Sequence, residues 1–217
     1  AALLELSGVR HVFEATAVLE TVDLRVMAGE HTLIEGPSGS GKSTLLNIAG
    51  ALLTPTQGSV SFAGTPLSAV GDLARHRLMN MGFVFQDFHL LESLTARQNL
   101  ELVRCARGGE PRHTLTELLE PLGMDARLDA PVRTLSRGER QRVALARTFA
   151  NGPQVVLADE PTASLDPSRA SATLDHLFSL AETTSSTVVM VSHDPGLGQR
   201  PEWSRRLMLE DGSLSER

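Results

Sequence analysis

Gly36-Pro37-Ser38-Gly39-Ser40-Gly41-Lys42-Ser43-Thr44 decides how the rest of this chain is read. It fits the pattern G-x-x-x-x-G-K-[ST]. In such a loop glycine-rich backbone amides cradle a polyphosphate, the lysine reaches the outer phosphates and the hydroxyl binds magnesium. The flanks supply the geometry that this chemistry needs. His31-Thr32-Leu33-Ile34-Glu35 reads as a strand leading in. Leu45, Ile48, Ala49 and Leu52 recur at helical spacing leading out, and Thr54-Pro55 ends the run. A strand, a glycine-rich loop and a helix N-terminus in that order form an anion site. The residues therefore predict binding of a nucleoside triphosphate.

Other polar groups stand directly after apolar runs that read as core strands. Gln86 follows Gly82-Phe83-Val84-Phe85, Asp159-Glu160 follows Val155-Val156-Leu157-Ala158, and His193 follows Thr187-Val188-Val189-Met190-Val191-Ser192. The last two runs are continuously apolar, as parallel strands covered on both faces are. In an open parallel sheet ligands bind beyond the carboxyl ends of the strands, so neighbouring strands would turn all these groups toward one nucleotide. Asp159 and Glu160 suit a division of labour in which one carboxylate holds a cation and the other orients a water.

The remaining segments frame this core. Leu3-Glu5-Leu6-Val9 and Val22-Leu24-Val26 alternate in the manner of half-buried antiparallel strands, and Gly58 to Phe62 reads as another short strand. From about Thr95 to Ala150 the pattern is helical. Thr95 with Gln98 makes a capping box, and Leu115, Leu118, Leu119 and Leu122 make an apolar stripe. Ser136-Arg137-Gly138-Glu139 is a second capping box, which opens a helix through Arg147 and is itself suited to anions. Asp166-Pro167 offers an N-cap and a first-turn proline, and Asp211-Gly212 reads as a hairpin turn.

With 217 residues, 41% hydrophobic and 21% charged, the composition is that of an ordinary globular domain. The net charge of −6 argues against broad nucleic-acid binding, and no nucleic-acid partner is expected. The single Cys105 permits no intramolecular disulfide and reads as a small apolar residue on a helix. No segment reads as a signal peptide, and no apolar run nears the roughly 20 residues that span a bilayer. A membrane role therefore requires a partner.

The order of these motifs resembles the ATP-binding subunits of ABC transporters across essentially the whole chain. It runs from the phosphate loop through Gln86, LSRGE-RQRVALAR and VVLADEPTASLD to VSHD. The stretch GFVFQDFHLLESLTARQNL is most similar to the subgroup of lipoprotein-releasing, macrolide-exporting and cell-division ATPases. The resemblance implies an α/β fold: a P-loop NTPase (RecA-like) core with a mostly parallel sheet, an N-terminal antiparallel β subdomain and an inserted helical lobe. It implies one ATPase domain, with residues 1–87 and 153–217 as the core and about 88–152 as the helical lobe.

It also implies an Mg2+-dependent ATPase in which two copies close head to tail over two ATP molecules, powering integral membrane permease subunits at the cytoplasmic face. In that arrangement Gly36, Pro37, Ser38, Gly39, Ser40, Gly41, Lys42, Ser43 and Thr44 hold the phosphates and Phe13 stacks on adenine. Ser43, Gln86 and Asp159 bind Mg2+, Glu160 is the general base and His193 contacts the γ-phosphate. Ser136, Arg137, Gly138 and Glu139 complete the site from the second copy, and Ser164, Leu165 and Asp166 link the two sites. Arg137 stands where the family has glycine, and it is expected to be tolerated because Ser136 and Gly138 remain. Two alternatives stay open: an ATPase that regulates a membrane complex without transport, and a soluble non-transport member of the superfamily.

Overall fold

A computed structural model describes residues 2–85, 87–163 and 165–217. The chain divides into two compact units. The first contains the residues up to Arg77, Leu157–Glu160 and Thr187–Arg217; the second contains Leu78–Val156 and Pro161–Ser186.

The first unit begins with two long strands, β1 (Ala2–Phe13) and β2 (Thr16–Met27), which pair antiparallel. Leu4 faces Val26 and Leu6 faces Leu24, and the alternating apolar positions are buried. The short strand β3 (Thr32–Glu35) follows, buried at every position, and then the helix α1 (Lys42–Ala49). Strands β4 (Gln57–Phe62) and β5 (Thr65–Pro66) complete an antiparallel sheet of order β2-β1-β4-β5.

A helix for which the sequence gives no expectation comes next, α2 (Leu73–Asn80). It buries no residue, so it has no apolar stripe to read; Asp72 caps it by accepting from the Arg75 amide at 2.9 Å.

In the second unit β6 (Met81–Val84) ends one residue earlier than the sequence predicts. Phe85 is 39% exposed, its ring stacked on Phe83 at 5.8 Å between centroids. Gln86 lies outside the described residues. Helices α3 (Ala96–Arg107), α4 (Leu115–Leu119) and α5 (Arg137–Phe149) each start at a complete capping box, on Thr95, Thr114 and Ser136. The stripe at Leu118, Leu119 and Leu122 is buried, but α4 has only five residues because Pro121 tightens the next turn.

Strand β7 (Val155–Asp159) begins in the second unit, where β6 is its neighbour, and ends in the first. Helix α6 (Pro167–Thr184) starts at Asp166, whose carboxylate accepts from the Arg169 amide at 3.1 Å. The chain closes in the first unit with β8 (Thr187–Ser192), β9 (Arg205–Glu210) and β10 (Ser213–Glu216). Asp211 and Gly212 both take positive φ, as a tight hairpin between β9 and β10 requires. The strand order there is β10-β9-β3-β8-β7, and β3 is parallel to both β8 and β9. That order sets the ends of β3, β8 and β7 side by side, and α1 packs against β8.

Candidate active site

The phosphate loop leaves β3 at Gly36 and re-enters regular structure at Lys42. Gly41 has φ 96°, a left-handed conformation that releases the amides of the first helical turn toward the loop. A Cβ there would also lie 2.9 Å from the Val18 carbonyl oxygen, so the β1–β2 hairpin rests directly against the loop. Phe13, at the end of that hairpin, is 47% exposed, with its ring edge-on to His11 at 4.5 Å.

Lys42 is 4% exposed, and its Nζ donates to the carbonyl oxygens of Gly36 at 2.9 Å and Pro37 at 2.7 Å. It also lies 3.8 Å from Glu160 Oε1, while Glu160 Oε2 shares a 2.6 Å hydrogen bond with His193 Nδ1. A cation from the start of α1 and a carboxylate and an imidazole that directly follow β7 and β8 are thus joined in one chain of contacts. Glu160 sits at φ 47°, a strained position for a residue with a Cβ, and its amide donates to the Val191 carbonyl at 3.1 Å. His193 is held by the turn that follows, where Asp194 accepts from the Gly196 amide at 2.9 Å.

Ser43 Oγ donates to Asp159 Oδ1 at 3.0 Å. Burial pushes the Asp159 carboxyl above its ordinary range; the Ser43 hydrogen bond opposes this, the Glu160 charge adds to it, and Lys42 opposes it in turn. These two oxygens fit Mg2+, since adjacent octahedral ligands at roughly 2.1 Å from the ion stand about 3.0 Å from each other. Among the described residues no group of three or more His, Cys, Asp or Glu is placed to hold a metal. That donor set matches an ion that takes its remaining ligands from substrate phosphates and water.

The second unit carries the other expected site residues. Ser136 Oγ accepts from the Glu139 amide at 3.3 Å, and the Glu139 carboxylate accepts from the Ser136 amide at 2.8 Å. Hydrogen bonds to its carboxylate, from the Ser136 backbone amide first and the Ser136 side chain second, hold the Glu139 carboxyl below its ordinary range. Arg137 is the first residue of α5 and has ordinary helical backbone, so replacing a glycine there introduces no strain. A cavity of about 330 Å³ opens beside Ser136, Arg137 and Gly138, lined also by Arg142, Arg169 and His176 of the same unit. Leu165 lines it too, and Asp166 caps α6; Ser164 lies outside the described residues.

Arg147 is an inward-turned cation that the sequence reading takes only as part of the helix. Burial lowers its guanidinium pKa, and it donates to the carbonyl oxygens of Phe88 at 2.9 Å and His89 at 2.6 Å. It thereby fixes the segment after β6, beside a groove lined by Phe83, Phe85, Phe88 and Thr148. An arginine inside a helical repeat looks like a solvated face, and nothing local marks it as inward-facing.

The model of the family described as "ABC transporter" matches residues 19–163, which includes the phosphate loop, the Ser136 cap and the Asp159-Glu160 pair. The chain belongs to the ABC transporter ATPase family. The lipoprotein-releasing system ATP-binding protein LolD 1 of Caulobacter vibrioides is 40% identical over 98% of this chain and 94% of its own length. The macrolide export ATP-binding/permease protein MacB of Salmonella choleraesuis is 42% identical over 98% of this chain, which spans about a third (34%) of that relative. Among solved structures, the ATP-binding cassette MJ0796, a dimer bound to ADP and Pi, superposes with a TM-score of 0.82. It is 34% identical and is covered over 98% of both chains. CbiO1 of Clostridium perfringens, part of the cbiONQ transporter complex, gives a TM-score of 0.86 at 26% identity, covering 99% of this chain. The cassette is thus an ATPase of the LolD and MacB type, with the α/β architecture and antiparallel β subdomain expected from its motifs. No described helix is long and apolar enough to cross a membrane.

Proposed function

We propose that this cassette powers a membrane ABC transporter by closing head to tail with a second copy of itself over two ATP molecules and reopening after hydrolysis. The contact chain Lys42–Glu160–His193 carries this reading, because a lysine, a carboxylate and an imidazole that meet at one point beside the phosphate loop are the groups such a site needs. Phe13 offers an exposed ring face to adenine. The loop from Gly36 to Thr44 wraps the phosphates, and Lys42 exchanges its two carbonyl partners for β- and γ-phosphate oxygens. Ser43, Asp159 and Gln86 would hold Mg2+, which would supply charge neutralisation at those phosphates. Glu160 accepts the proton of the attacking water, and His193 orients the carboxylate while contacting the γ-phosphate.

The partner copy's Ser136 and Gly138, at the positive end of its α5, complete the γ-phosphate cage. Leu165 and Asp166, with Ser164, carry the state of one site to the other. Loss of the γ-phosphate removes the bridge between the copies, and the pair opens. An integral membrane permease, docked at the cytoplasmic face on the groove beside Phe88 and Arg147, converts that motion into transport. The relatives, an ATP-binding protein of a lipoprotein-releasing system and a combined macrolide export ATP-binding/permease protein, support a permease partner.

Glu160→Gln tests the scheme. Hydrolysis is expected to fall by about 10²–10⁴, the worth of a general base, with ATP binding retained and an ATP-dependent dimer accumulating in light scattering. A variant that still hydrolyses ATP at the parental rate, or that stays monomeric in ATP, refutes it.

A further inference from the structure

Glu35 is the last residue of β3 and adjoins Gly36, the first residue of the phosphate loop. It is 2% exposed, and a buried carboxylate at the root of a loop built for a polyanion is electrostatically adverse to that ligand. Two cations from the end of the chain offset it. Arg206 Nη2 donates to Oε2 at 3.1 Å, and Arg217 Nη1 lies 2.7 Å from Oε1. Arg206 belongs to β9, the parallel neighbour of β3, which brings it to Glu35 from 171 residues away.

Arg206 has a second contact. Its guanidinium occupies the space that a Cβ on Gly198 would take, with Cζ 2.5 Å from that position. Gly198 is part of the turn Pro195–Gln199 that follows His193 and Asp194. One side chain therefore touches both the root of the phosphate loop and the turn behind the histidine.

We infer that Arg206 is a positioning residue for the nucleotide: it shares with Arg217 the neutralisation of Glu35 beneath the phosphate loop and alone braces the His193 turn, so affinity for polyphosphate depends on it. The inference rests on the ATP-site reading above. It is not a matter of fold stability alone, because a Glu35 charge left only partly offset by Arg217 acts on the ligand in proportion to the ligand's own charge.

The experiment measures equilibrium binding of ATP and ADP to the full chain, with melting temperature alongside. Arg206→Met is expected to weaken ATP about tenfold and ADP about threefold, as one poorly screened charge near a surface does. Gly198→Ala, whose methyl displaces the guanidinium without touching Glu35, should give the same pattern. Adding Glu35→Leu to either variant should restore ATP affinity to within about twofold of the parent. Equal losses for the two nucleotides, or no rescue by Glu35→Leu, would overturn the inference, as would parental ATP affinity in Arg206→Met. If Arg206→Met does not fold, Gly198→Ala with and without Glu35→Leu decides by the same criteria. Lys42→Ala is the control: if it leaves ATP binding intact the phosphate-loop reading itself fails, and if it abolishes binding the Arg206 result stands alone.

Discussion

Glu160 holds a conformation that only glycine adopts without strain, and the size of that strain can be measured apart from the chemistry. At φ 47° a residue with a Cβ is destabilised by about 1–2 kcal/mol relative to ordinary backbone. The comparison that isolates it is Glu160→Ala against Glu160→Gly. Both lose the carboxylate and its contacts to Lys42 and His193, and they differ only in the Cβ. Glycine escapes the strain but loses about 0.4–1 kcal/mol through the greater freedom of its unfolded chain, which leaves it about 0.8 kcal/mol more stable than alanine. For a domain of this size that difference raises the melting temperature by roughly 2–3 °C. Both proteins should be inactive as ATPases, so a thermal melt without nucleotide reads the backbone alone. An alanine variant that melts at or above the glycine variant would show that Glu160 carries no stored strain in solution.

Three further outcomes follow from the same geometry. Gly36→Ala should abolish ATP binding and lower the melting temperature, because a Cβ there would lie 2.8 Å from Ser40 Oγ and closer still to the backbone oxygen of Leu209, which cannot yield; titration with a fluorescent ATP analogue checks it. Asp159→Asn should raise the melting temperature at pH 7. The raised Asp159 pKa means that ionisation burdens the native state above the ordinary value of 3.8, so the gain should fade as pH falls through the raised native pKa toward 3.8 and be absent below it, and melts across pH 3–7 would show it. Ser136→Ala should lose about 1 kcal/mol of helix capping, keep ATP binding and lose hydrolysis. Mixing it in equal amounts with Lys42→Ala should restore activity at about a quarter of the sites, and no recovery would count against head-to-tail pairing.

Much of this was legible in the chain because the chemistry dictates residue types at fixed local positions. The phosphate loop, the capping boxes at Thr95 and Ser136, the Asp166-Pro167 helix start and the Asp211-Gly212 hairpin each depend on interactions a few residues apart, and each is where the sequence puts it. α2 was not legible, since a helix that buries nothing leaves no periodic signal. Phe85 was misread as strand for a related reason: apolar character argues for burial, whereas here the ring lies on Phe83 at the surface.

The sequence by itself determined that this chain is a nucleotide-binding ATPase and where its phosphate loop lies, because a strand end, a glycine loop and a helix start are specified by neighbours in the chain. Only the tertiary structure decided that β3, β8 and β7 stand side by side, and hence that Lys42 faces Glu160 and Glu160 faces His193. It alone showed Glu35 to be buried and joined to Arg206, and Arg147 to be turned inward. Strand order and the pairing of distant charges arise from long-range packing, and no local pattern of residues encodes them.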